Sequence, residues 1–84
     1  MRLLYFIVSN HPQFISKLKK FCEVRGLPLR KFWITLYLLR DTPITSEVAP
    51  HLLRMLAQSG LLDGGEESWI EKLEKAKTKQ ISSP

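Results

Sequence analysis

Residues 29–40 read LRKFWITLYLLR, and this stretch most limits what the chain can become. From Phe32 to Leu39 it holds seven apolar residues and one threonine. On a helical wheel these side chains point in every direction, with Lys31 and Thr35 on a narrow polar strip. A helix apolar nearly all round must be covered on several sides. The stretch therefore reads as the central helix of a small helical domain. Its residue types, Phe, Trp, Ile, Thr and Tyr, also suit a buried strand. Punctuation favours the helix. Pro28 fits a first helical position, and Pro43 pushes Thr42 out of helical geometry. Twelve residues are also ordinary for a helix and long for a strand.

A chain of 84 residues makes one small domain with a thin stability margin. Its 44% hydrophobic content is enough for a core. Dimerisation would add burial. Cys22 is the single cysteine, which excludes an internal disulfide and a cysteine-built zinc site. On an apolar helix face it reads as a buried thiol. The first ten residues lack the long apolar region and cleavage site of a signal peptide. No run approaches the ~20 apolar residues of a membrane span. These features predict an intracellular, cytoplasmic protein without a membrane role.

The charge is divided. Residues 1–40 carry eight basic groups against Glu23 alone, a net +7, and residues 41–84 carry five basic and seven acidic groups, a net −2. A basic half points to an anionic partner, nucleic acid first among them. The alternative is a solubilising surface.

The apolar run Leu3 to Val8 is short and rich in Tyr, Phe, Ile and Val, so it reads as a strand. No second strand is evident, and a lone strand leaves backbone groups unpaired. It would pair with its own copy or with a partner protein, making Leu4, Phe6 and Val8 the interface. Otherwise residues 29–40 would be a strand after all. Asn10 to Gly26 reads as a helix with Asn10 as N-cap and Gln13 completing a capping box. Phe14, Ile15, Leu18, Phe21 and Cys22 form its apolar stripe. Gly26 and Gly60 suit the left-handed position that closes a helix, with Leu27 and Leu61 folding back. Thr45 to Glu47 suit a short capped turn. A further helix starts near Pro50, with Leu52, Leu53, Met55 and Leu56 inward and His51, Arg54 and Gln58 outward. After the Asp63-Gly64-Gly65 turn, residues 66–79 read as an amphipathic helix on Trp69, Ile70, Leu73 and Ala76. Glu71 and Lys75 form an i,i+4 pair within it. Residues 1–79 make the domain and 80–84 a disordered tail.

Enzyme signatures are missing, so no catalytic residue, metal or cofactor is expected. His11 and His51 stand far apart without ligand spacing, and Gly64-Gly65 lacks the surroundings of a phosphate-binding loop. Asp63, Glu66 and Glu67 do not match a calcium loop.

Strand, capped helix, glycine turn and second helix follow one another over residues 2–40. In that order of elements the region resembles the ribbon-helix-helix repressors. The resemblance implies two N-terminal strands paired across a dimer and set into the major groove. The chain departs from the family where Arg2 is followed by six apolar residues, leaving little to bond a base edge. ITSEVAPHLLRMLAQSGLLDGG, residues 44–65, is similar to the recognition helix and turn of winged-helix regulators, which would aim His51, Arg54 and Gln58 at DNA. Only ten residues separate LYLLR from HLLRM, too few for the usual intervening helix.

The sequence thus predicts a mainly α domain of about four helices with a short N-terminal β-strand paired across a homodimer. The leading expectation is a non-enzymatic regulator that binds DNA or RNA. Lys17, Lys19, Lys20, Arg25, Arg30 and Lys31 would position phosphates. The alternative is a modulator that binds an acidic protein through the strand or an apolar helix face. Trp33, Trp69 and Tyr5 would then be anchors rather than core.

Overall fold

The computed structural model describes residues 1–81, with side-chain environments through residue 79. Five helices lie among these residues: α1 (Leu3–Asn10), α2 (Phe14–Val24), α3 (Leu29–Asp41), α4 (Ala49–Gln58) and α5 (Glu66–Ile81). The mainly helical class holds, with one helix more than the sequence predicted. The extra one is α1, where a strand was expected.

Residues 3–8 are helical because packing overrides their β preference. Leu3, Phe6 and Ile7 are buried, Leu4 and Val8 pack partly against the core, and Tyr5 and Ser9 face out. That is helical spacing. A helix also satisfies its own backbone groups, so the segment needs no partner strand. The chain start is tied internally instead. The Leu3 amide donates to the Thr42 carbonyl at 2.7 Å, and the Ile44 amide donates to the Met1 carbonyl at 3.0 Å. An isolated bridge between Arg2 and Pro43 is the β pairing among the described residues.

The helix expected from Asn10 to Gly26 starts later, at Phe14. Asn10 ends α1, its side-chain amide donating to the Phe6 carbonyl, and α2 starts only at Phe14 without a side-chain cap. Pro12 lies in the turn between them. The far end of α2 follows expectation. Gly26 takes φ +66°, the Leu27 amide reaches the Cys22 carbonyl, and the Gly26 amide reaches that of Glu23. This is the Schellman pair of bonds. It recurs at the end of α4, where the Leu61 and Gly60 amides reach Leu56 and Ala57.

One core runs through all five helices: Leu3, Phe6 and Ile7 of α1, Phe14, Leu18 and Cys22 of α2, Phe32, Leu36 and Leu39 of α3, Leu53 and Leu56 of α4, and Trp69 and Leu73 of α5. Ile44, from the α3–α4 connection, plugs it from the side. In that connection the Ser46 hydroxyl accepts from the Val48 amide, a local turn bond. Met55, expected inward, is exposed. Helix α5 continues through Gln80 and Ile81. The remainder of the expected tail, 82–84, lies outside the described residues. No helix among the described residues is long and apolar enough to cross a membrane.

Helix α3 departs most from expectation. Pro28 is its N-cap rather than its first residue. The helix is covered on one side only, by α1 and α2.

Candidate functional site

Three features stand out: a set of free cations, a polar node around Asp63, and the open face of α3.

The basic residues singled out in the sequence lie on α2, its C-terminal end and the first turn of α3. Phe14, Leu18 and Cys22 turn α2 inward, so Lys19 and Lys20 are left exposed. Arg25 holds its guanidinium 3.7 Å above the Phe21 ring, a cation–π contact. Arg30 and Lys31 occupy the first turn of α3, which has no acidic residue. Positive charge there opposes the helix dipole. Lys19, Lys20, Arg30 and Lys31 make no ion pair or side-chain hydrogen bond within the described residues. By contrast, the second half largely neutralises itself. Arg54 meets Glu66 at 3.2 Å, Lys75 meets Glu71 at 3.2 Å and Lys77 meets Glu74 at 3.6 Å. Gln58 also donates to Glu66, so two of the three residues aimed at DNA by the winged-helix comparison are engaged inside the molecule.

Lys17 stands apart from the other cations. Its ammonium donates to Asp63 Oδ1 at 2.6 Å. His11, buried at the α1–α2 turn, places Nε2 3.5 Å from Asp63 Oδ2, with no hydrogen bond to that nitrogen. The main-chain oxygen of Asp63 accepts from Trp69 Nε1 at 2.6 Å. The hydrogen bond and charge of Lys17 hold the Asp63 carboxyl below its ordinary pKa, with a smaller contribution from the charge of His11. Asp63 therefore ties α2 and the α1–α2 turn to α5. Sequence reasoning missed the node because its members lie 46 residues apart. Among the described residues, no group of three or more His, Cys, Asp or Glu is placed to hold a metal ion.

The open face of α3 lies opposite Phe32, Leu36 and Leu39. Trp33 is 46% exposed, Ile34 55%, Tyr37 49% and Leu38 50%; Leu29, the first residue of the helix, is exposed on the Phe32 side. Trp33 and Tyr37 stack with ring centroids 6.2 Å apart, and Arg40 lies over Tyr37 at 4.9 Å. Of the three aromatic anchors named from sequence, Trp33 and Tyr5 are exposed while Trp69 is core. The strand interface Leu4, Phe6 and Val8 is dissolved into α1, with Phe6 only 3% exposed. Isolated exposed apolar residues are ordinary, but a contiguous row of large ones marks an interaction surface.

Comparison with protein-family models, with curated proteins and with solved structures returns no match to this chain.

Proposed function

We propose that this chain is a small non-enzymatic regulator that binds nucleic acid through phosphate contacts, in an intracellular, cytoplasmic setting. The observation that carries this reading is the contrast between the halves. Arg54, Lys75 and Lys77 of α4 and α5 are paired with neighbouring carboxylates and Lys72 lies over the Trp69 ring, whereas Lys19, Lys20, Arg30 and Lys31 are unmatched and solvent-facing. Arg25, held on Phe21 beside them, completes the set. Phosphates would take these groups as positioning contacts, carrying little sequence information. Lys17 belongs to the set only if a phosphate displaces Asp63.

A salt titration with labelled single- and double-stranded DNA and RNA oligonucleotides tests this. Four or five neutralised phosphates predict a log–log salt slope of about −3 to −5. Absence of any oligonucleotide shift at low salt would remove the reading.

A second reading is favoured by the row of exposed apolar side chains on α3. Here the chain is a modulator that docks on another, acidic protein through that helix face, with Trp33 and Tyr37 as anchors. The strand route to a partner or to a homodimer is withdrawn, since residues 3–10 are helical. Capture that survives high salt and fails in Trp33→Ala would support this second reading over the first.

A further inference from the structure

The outermost line of α3 is Arg30, Ile34, Tyr37 and Asp41, at i, i+4, i+7 and i+11, facing directly away from Phe32, Leu36 and Leu39. Trp33 flanks this line on one side and Leu38 on the other. The line carries a positive charge at its start, a negative charge at its end and apolar side chains between. Reversed end for end, it has the complementary pattern.

We infer that the open face of α3 is covered by α3 of a second copy, the two helices running antiparallel about a two-fold axis near Thr35 and Leu36. That register sets Arg30 against the partner copy's Asp41 twice, once at each end. Ile34 meets the other copy's Tyr37, and the Trp33 and Leu38 flanks close over the seam. Parallel pairing would oppose Arg30 to Arg30 and Asp41 to Asp41, so charge selects the antiparallel arrangement. Both charged groups are free to reach across. Arg30 has no intramolecular partner, and the Asp41 side chain is 71% exposed with only a long 3.6 Å contact to Arg40. In the antiparallel register Lys31 lies level with the partner copy's Arg40, but Lys31 is on the Leu38 flank and Arg40 on the Trp33 flank, so the width of the seam separates them.

Area agrees with this occupant. The four large apolar side chains of the seam, Trp33, Ile34, Tyr37 and Leu38, each about half open, leave on the order of 100 Å² apiece. With the exposed side chains of Arg30 and Asp41 added, two copies would together bury about 1,000 Å², near the lower limit for a specific interface. A seam of that size makes a weak dimer, whose population rises with protein concentration. This inference is independent of the phosphate-binding reading, except that it assigns Arg30 to the seam and leaves Lys19, Lys20, Arg25 and Lys31 to an anionic ligand.

The test is a charge exchange followed by sedimentation over a concentration series of the full chain. Arg30→Glu and Asp41→Arg, each alone, should weaken the dimer on the order of tenfold or more, because each meets a like charge across the seam. The double exchange should restore it. Each single change improves the match with the helix dipole, which for Asp41→Arg offsets the lost Arg40 contact and keeps the monomer folded. Circular dichroism melts confirm this. Acrylamide quenching supplies a second readout, since Trp33 is shielded in the dimer while Trp69 is buried in either state. A monomer at every concentration overturns the inference. So does a dimer indifferent to the single changes, or a double variant that stays monomeric. Protection of Trp33 by an oligonucleotide, without a rise in protein stoichiometry, assigns the face to nucleic acid and also overturns it.

Discussion

The Lys17 ammonium sits 2.6 Å from Asp63 Oδ1, joining α2 to the turn before α5. A cation of the basic half is thus matched to a carboxylate of the acidic half.

The first consequence is a pH dependence. Asp63 has a folded pKa below its ordinary value of 3.8. Its contribution is therefore fully present above that ordinary value and is lost as the pH falls through the lowered folded value. Asp63→Asn should melt below the wild type at neutral pH. The gap should stay open down to about pH 4 and close as the pH falls further, through the lowered folded value. Thermal melts of both proteins across that range check this. A gap that stays constant with pH would mean the carboxylate charge contributes nothing.

A second consequence concerns nucleic acid. Lys17 already has a partner, whereas Lys19 and Lys20 do not. Lys19→Gln and Lys20→Gln should each reduce the magnitude of the salt slope by about 1. Lys17→Gln should change it less, because displacing Asp63 offsets any phosphate contact. Parallel salt titrations of the three variants read this directly. Equal losses from all three would place Lys17 with the free cations.

Local chemistry made parts of the fold legible. Arg25-Gly26-Leu27 and Ser59-Gly60-Leu61 marked two helix ends because the left-handed position favours glycine whatever the surroundings. Trp69, Ile70, Leu73 and Ala76 marked the inner face of α5 by spacing alone. The run Leu3 to Val8 was not legible, because a six-residue apolar segment fits a strand or a helix equally and packing decides. Nor was the open side of α3, since a helix apolar all round does not say which side finds neighbours. The free cations were visible as residues, but Lys17 could be separated from the others only by a contact across 46 residues.

Gly60 gives a backbone prediction. It holds φ +80°, and a Cβ built there would meet nothing within 4 Å. Gly60→Ala should therefore cost only the left-handed strain, about 1–2 kcal/mol. Gly60→Asn should cost less, because asparagine tolerates that region better. Denaturant midpoints of the two variants check the order. Equal losses would mean the cost lies elsewhere than in φ.

The last prediction separates the two sides of α3. Leu36 and Ile34 are similar in size and two residues apart, but Leu36 is 7% exposed and Ile34 55%. Leu36→Ala removes contacts with the α1 and α2 side of the core and should cost about 2–4 kcal/mol. Ile34→Ala removes a side chain facing solvent in the monomer. At low protein concentration it should cost less than about 0.5 kcal/mol. At high concentration its cost should grow, because the same side chain is buried where α3 pairs with its copy. Urea denaturation of both variants at two protein concentrations measures all of this. If Ile34→Ala proved as damaging as Leu36→Ala in dilute solution, α3 would have to be covered on both sides within a single chain, as residues 29–40 alone had suggested.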